Sequence, residues 1–139
     1  MEKKAFTLME LMVVVVIVGI MAGYSVPQYQ KAVRKAHERD AVVQLTTLNA
    51  ANVMYFAKNN TYLPTGTGNL AAINAGLNIN IIANGMTYAY NRPSTTTYTA
   101  TAGWVETGNN FTLRVNQAAL AANNPCCLAG SCPTRPACP

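Results

Sequence analysis

The hydrophobic pattern changes period along the chain. From Phe6 to Val26 the sequence FTLMELMVVVVIVGIMAGYSV is apolar all round, with Glu10 as its single ionisable side chain. An α-helix needs roughly 20 such residues to cross a hydrocarbon core about 30 Å thick. Val13 to Val16 have modest intrinsic helix propensity. In lipid, however, each backbone N–H and C=O has to be satisfied within the segment, so an isolated apolar run is driven into helix. The next stretch, Gln28 to Lys58, contains no Gly or Pro. In it Ala41, Leu45, Leu48, Asn52 and Tyr55 recur at helical spacing and Val42 and Phe56 widen the stripe, which predicts that the same helix continues with one face on a core. Asn59 and Asn60, poor helix formers that tolerate left-handed geometry, predict its end. A helix from Phe6 to Lys58 is about 80 Å long at 1.5 Å per residue, longer than a small domain. Its first half is therefore predicted to project from the globular part.

After Asn60 the period shortens. Thr61 to Asn69, TYLPTGTGN, is turn-rich, and Leu70 to Leu77 has room for a short helical turn. Asn78 to Ile82 alternates polar and apolar residues, and Ala83-Asn84-Gly85 supplies hairpin chemistry before Met86 to Tyr90. Arg92-Pro93-Ser94 turns the chain into Thr95 to Thr101. Past a loop holding Trp104 and Glu106, Asn110 to Val115 completes an antiparallel sheet of three or four strands. The fold class predicted is α+β, with the second half of the helix packed on that sheet. Tyr88, Tyr90, Tyr98, Trp104 and Phe111 read as core and sheet-face aromatics rather than a ligand box. Ala118 to Asn124 forms a link into a Cys/Pro-rich tail.

Composition sharpens this picture. Half of the residues are hydrophobic and only 11% are charged, a low fraction for a soluble domain. A surface rich in Asn, Thr, Ala and Gly is polar without being charged and suits packing against copies of itself. The formal net charge is +5, but the basic residues are scattered and no cluster resembles a nucleic-acid patch. The chain lacks the parts of an enzyme: His37 is its one histidine, and no nucleophile–base pair, acid cluster or phosphate loop accompanies it. His37 stands in the charged stretch Lys31 to Asp40 and is expected to be solvated. Arg34 and Glu38 in that stretch are expected to form an i, i+4 ion pair. Neither a cofactor nor a metal is expected.

The four cysteines, Cys126, Cys127, Cys132 and Cys138, all lie in the tail. An even number beside prolines, in a chain with a membrane-insertion signal, points to disulfides in an oxidising compartment. The spacing lacks the paired C-x2-C usual for zinc sites. Adjacent Cys126 and Cys127 would close a strained ring with each other, so each is expected to pair with Cys132 or Cys138, leaving two connectivities open.

The apolar run fits three uses: the core of a secretory signal behind Lys3 and Lys4, a plain anchor, or the start of a mature chain cut between Ala5 and Phe6. Glu10 is a cost in the first two. Gly19 and Gly23 form a G-x-x-x-G, a spacing that lets membrane helices approach closely. Pro27 lacks the N–H that would bond back to Gly23, so Gly19 to Pro27 is the most easily unwound part of the helix. Glu10 needs a partner in lipid, and none is expected within the helix before Lys31.

Lys3-Lys4-Ala5-Phe6-Thr7-Leu8-Met9-Glu10-Leu11-Met12-Val13-Val14-Val15 resembles the processing site and N-terminal helix of type IV pilins and pseudopilins, nearest to the type IVa pilins. Pro27 falls where that family usually carries a helix-bending proline, and Ala5 replaces the commoner Gly before the cut. The resemblance covers about the first quarter of the chain. It implies a pilin fold with a leader over 1–5, a transmembrane and assembly helix over 6–27 and a globular domain over 28–139. Within that domain the helix continues over 28–58, a connecting loop spans 59–77, the sheet spans 78–116 and the tail spans 117–139. It also implies cleavage between Ala5 and Phe6 by prepilin peptidase and N-methylation of Phe6. Assembly would run through Phe6, Glu10, Gly19, Gly23 and Pro27. Before assembly the chain would sit once through the bacterial inner membrane, N-terminus cytoplasmic and C-terminus periplasmic. The pilus assembly machinery would then add it to a homo-oligomeric helical filament. The first expectation is therefore a structural subunit of a type IV pilus, and the alternative a pseudopilin of a type II secretion system. Major pseudopilins commonly hold calcium with acidic residues in a C-terminal loop. After Asp40 this chain has one acid, Glu106, and calcium wants several oxygen ligands.

Overall fold

A computed structural model describes residues 6–64, 70–106, 110–118 and 123–139. The leader and part of the expected 61–69 and 118–124 connections lie outside the described residues. The chain forms two compact units, the first ending at Val33 and the second spanning Arg34–Pro139.

One helix, α1 (Leu8–Asn59), contributes to both units. In the first unit it runs without a break through Gly19, Gly23 and Pro27, and its residues are exposed as far as Ala32. It is the one described helix long and apolar enough to cross a membrane. The Ser25 hydroxyl donates to the Met21 carbonyl at 2.8 Å, two turns before Lys31. At its other end α1 stops where the sequence pattern places the stop. Asn60 takes a φ of 53°, and its N–H donates to the Phe56 carbonyl at 2.8 Å.

In the second unit α1 buries Glu38, Ala41, Leu45, Leu48, Asn49 and Asn52, the stripe that the helical spacing predicts with polar groups added. A second helix, α2 (Leu70–Leu77), buries Ile73 and Leu77. The sheet is an antiparallel meander of β1 (Thr87–Ser94), β2 (Thr97–Trp104), β3 (Phe111–Asn116) and β4 (Cys126–Gly130), in that spatial order. Alternation at period two puts Tyr88, Tyr90, Tyr98, Ala100, Ala102, Trp104, Phe111, Leu113 and Val115 on the buried face, with threonines between them facing out. The aromatic rings form a chain: Phe56 to Tyr62 at 4.6 Å, Tyr62 to Tyr98 at 4.7 Å and Tyr98 to Tyr90 at 5.6 Å.

The sheet differs from the sequence pattern in several places. Arg92-Pro93-Ser94, expected as a turn, lies within β1, and Trp104, expected in a loop, ends β2. Asn78 to Ile82 is not a strand, although Asn84 and Gly85 do make a tight turn at φ 44° and 75°. The cause is Asn74 on α2. Its side-chain amide donates to the Ile81 carbonyl at 2.9 Å and accepts the Ile81 N–H at 3.0 Å, so a side chain takes the main-chain groups that a ladder would use. The fourth strand comes instead from the cysteine tail, where β4 pairs Cys126 with Arg114 and Cys127 with Leu113. Gly130 ends it with a φ of 80°. A side chain there would collide with the Asn110 carbonyl, so this close approach of backbones requires glycine.

Candidate assembly site

In the first unit, Phe6 and Glu10, two of the residues expected to act in processing and assembly, stand at the start of α1. Phe6 is 82% exposed. Thr7 and Glu10 close a reciprocal cap: the Thr7 hydroxyl accepts the Glu10 N–H at 3.3 Å, while Glu10 Oε2 accepts the Thr7 N–H and the Thr7 hydroxyl, each at 3.0 Å. Two backbone donors at a helix start are thereby satisfied. Glu10 thus has a partner within its own chain, contrary to the sequence expectation of none before Lys31. The Thr7-x-x-Glu10 spacing is the signal that identifies it. Both bonds fall on Oε2, and Oε1 accepts none among the described residues. Gly19 and Gly23 border open space, with nothing within 4 Å of where a Cβ would stand. Ala5 lies outside the described residues.

The second unit holds the cysteine tail against α1. The disulfides join Cys126 to Cys138 and Cys127 to Cys132, which resolves the two open connectivities. Between them the chain folds back on β4. The Cys127 N–H donates to the Pro136 carbonyl at 2.7 Å, and the Cys138 N–H donates to the Cys127 carbonyl at 2.8 Å. This brings Thr134 over Glu38, which is fully buried. Glu38 Oε1 accepts the Thr134 N–H at 3.0 Å and its hydroxyl at 2.6 Å. Glu38 is therefore engaged by the tail rather than by Arg34, whose buried Nε has no hydrogen-bond partner among the described residues. His37 likewise departs from the expected solvated state. Its ring stacks on Trp104 with centroids 4.6 Å apart and planes inclined by 22°. Neither pairing is legible from spacing, because the partners are distant in sequence and meet only when the sheet forms.

The buried polar groups of this unit serve packing. Asn49 Nδ2 donates to the Tyr98 hydroxyl at 2.6 Å and the Asn116 carbonyl at 2.7 Å, and the Tyr90 hydroxyl donates to Asn52 Oδ1 at 3.1 Å. Burial pushes the Tyr90 phenol up to about 12, against the effect of its bond to Asn52. Burial, with the nearby charge of Asp40, raises Tyr88 to about 12, and burial raises Tyr98 further. Of the three hydroxyls, that of Tyr90 donates and that of Tyr98 accepts within the core, while that of Tyr88 is buried with no hydrogen-bond partner among the described residues. Among the described residues no three His, Cys, Asp or Glu side chains gather as a metal site.

A membrane-length helix followed by a helix-on-meander unit defines an α+β subunit of pilin-like architecture. Residues 1–25 match the family profile of the prokaryotic N-terminal methylation motif. The chain is 39% identical over 67 residues to the type II secretion system core protein G of Pectobacterium carotovorum subsp. carotovorum, covering 48% of this chain and 43% of that one. It is 40% identical over 73 residues to the core protein G of Aeromonas hydrophila, covering 52% and 51%. It is 43% identical over 49 residues to a fimbrial protein of Pseudomonas aeruginosa, covering 35% and 32%. The chain spans about half the length or less of these curated relatives. No solved structure matches it at a significant level. The chain is a type IV pilin-like protein, carrying the prepilin-type N-terminus shared by pilins and pseudopilins.

Proposed function

We propose that this chain is a non-enzymatic structural subunit that polymerises through its N-terminal helix, and that its filament is the pseudopilus of a type II secretion system. The observation that carries this reading is the reach of the similarity to core protein G. It extends over 67 to 73 residues in the two relatives above, against 49 for the fimbrial protein, and so takes in a larger share of this chain. Before assembly α1 holds the chain in the inner membrane, N-terminus inward, and Lys3 and Lys4 favour that orientation. A prepilin peptidase cuts between Ala5 and Phe6 and the new amine on Phe6 is methylated. With the Thr7 bonds confined to Oε2, Glu10 Oε1 is left to accept that amine from a neighbouring copy. The pair sits at one membrane depth in every subunit, and a copy added out of step leaves both charges unpaired in a dry interface.

A second reading, the type IV pilus, is favoured by the tail, where two disulfides rather than a carboxylate cluster fix the C-terminal segment. Deleting the chain distinguishes the two. Loss of protein export with surface pili intact supports the pseudopilus, whereas loss of sheared surface filaments with export intact supports the pilus. N-terminal sequencing tests the common ground: the mature chain starts at methylated Phe6, and a start at Tyr24 or Ser25 would refute both.

A further inference from the structure

The second unit carries an exposed knob at one end of its stretch of α1 and an open groove at the other. The knob follows β2. Trp104 is held by stacking on His37 and by Phe111, 5.9 Å away centroid to centroid, and the next two residues, Val105 and Glu106, stand out from it. Val105 is 83% exposed. Of the four carboxyl side chains in the described residues, Glu10 is bonded to Thr7, Glu38 to Thr134 and Asp40 to Asn84. Glu106 makes no hydrogen bond or ion pair there. The groove, about 710 Å³, runs between the last turns of α1 and the end of α2. Small residues leave it open, Ala50 and Ala51 on α1 and Gly76 on α2. Met54, 72% exposed, and Leu77 give it an apolar lining. Lys58 is the one charged side chain along it, and it too makes no hydrogen bond or ion pair among the described residues.

The helix sets the distance between the two. At 1.5 Å per residue, Ala51 lies about 20 Å and Lys58 about 30 Å beyond His37 along α1. His37 marks the level of the knob through its stack on Trp104, so knob and groove are too far apart to meet within one subunit. In two copies that point the same way, they come level when one is displaced along α1 by about that distance. Taken singly, neither patch needs explanation. An exposed valine is ordinary, and a lysine in the last turn of a helix suits the dipole. Their chemistry is nevertheless complementary: an apolar side chain beside an unpaired acid, and an apolar groove beside an unpaired cation. Covering the groove with an uncharged surface, such as the apolar span of α1, would bury the Lys58 ammonium without a partner, which is costly. An incoming Glu106 supplies that partner.

We infer that the knob of one copy docks in the groove of the next, with Val105 on Met54 and Leu77 and Glu106 against Lys58. The contact is heterologous, so it leaves a free knob and a free groove at its two ends and propagates instead of closing as a pair. It deepens the self-assembly reading above and rests on it. The apolar helices associate in any register that buries them, whereas the knob and groove fix the stagger of neighbouring second units along α1 at about 20–30 Å.

The test uses the full chain in cells that assemble it. A carbodiimide joins a carboxyl to an amine only where the two touch, so filaments of the wild-type chain should yield a Lys58–Glu106 crosslink by mass spectrometry. The detergent-dispersed subunit should not, because the two residues cannot meet within it. Glu106→Lys and Lys58→Glu each place like charges across the contact and are expected to lower filament yield at least about tenfold while membrane levels stay at wild type. The combined variant restores opposite charges and is expected to recover to within about threefold of wild type. Filaments in which Glu106 couples to a different lysine, or to none, overturn the inference, as do wild-type yields from both single reversals. The assembly reading stands in each of these cases. Absence of any filament from the wild-type chain overturns both.

Discussion

Glu10 shows how much a single side chain can do at the head of a helix. It caps α1 through one carboxyl oxygen and leaves the other without a bond among the described residues, so the cap and the proposed role in assembly separate by mutation. Thr7→Val loses the cap, worth about 1 kcal/mol of helix stability, but keeps the charge, and filaments should form. Glu10→Ala should be processed and accumulate in the membrane yet enter filaments poorly. Comparing cleavage, membrane level and filament yield of the two variants checks this, and equal yields would remove the registration role. Glu38 and Thr134 form the corresponding pair in the second unit. Thr134→Val strips a hydroxyl from a buried carboxyl whose other oxygen is already unsatisfied. A loss of roughly 1–3 kcal/mol in denaturant unfolding is expected, and more than for Glu38→Gln, which retains an acceptor. The core tyrosines set an alkaline limit. Unfolded phenols ionise near 10.0, whereas Tyr88 and Tyr90 in the folded unit hold their protons to about 12. The unfolded state therefore sheds protons first, and stability that is full below pH 10 falls as pH climbs towards 12. Tyrosinate absorbance should show part of the tyrosines titrating only as far-ultraviolet dichroism is lost.

At the scale of elements, what could be read from the chain depended on whether the signal was local. The long helix, its stop at Asn60 and its buried stripe were legible because helical period, absence of Gly and Pro, and an Asn pair act within a few residues. The core aromatics were legible from alternation. The residues 78–82 were misleading because alternation says nothing of Asn74, which claims both main-chain groups of Ile81. The fourth strand was hidden because Cys126–Gly130 carries a cysteine signal rather than a strand signal, and its ladder exists only opposite β3. Of the candidate assembly residues, Glu10 and the glycines stood out by chemistry, whereas the stack of His37 on Trp104 and the bond of Glu38 to Thr134 depend on placement in the fold that no spacing encodes. The tail strand brings its own expectation. Removing the Cys126–Cys138 bridge with two serines should cost about 2–3 kcal/mol on chain-entropy grounds and loosen β4, read as faster hydrogen exchange along β3. In α1, replacing Gly23 and Pro27 with Ala should stiffen the segment. Filament density of the wild type should show helical hydrogen bonds lost between Gly19 and Pro27, although the lone subunit is helical there. An unbroken helix in the filament would contradict this.

For the molecule as a whole, membrane insertion and folding fall on different residues. The apolar span is exposed along its described length, while the second unit buries a core of its own on α1, so damage to one need not destroy the other. The stack of His37 on Trp104 makes the integrity of the second unit visible without a label. The chain has a single tryptophan and a single histidine, and their rings are in contact across the seam between helix and sheet. Indole emission is therefore a one-site optical gauge of that seam. It should shift and change in yield when α1 separates from β2, and stay unaltered when only the helix in lipid is perturbed. The same light, collected from detergent micelles, from membranes and from intact filaments, would follow one subunit through each stage of its assembly.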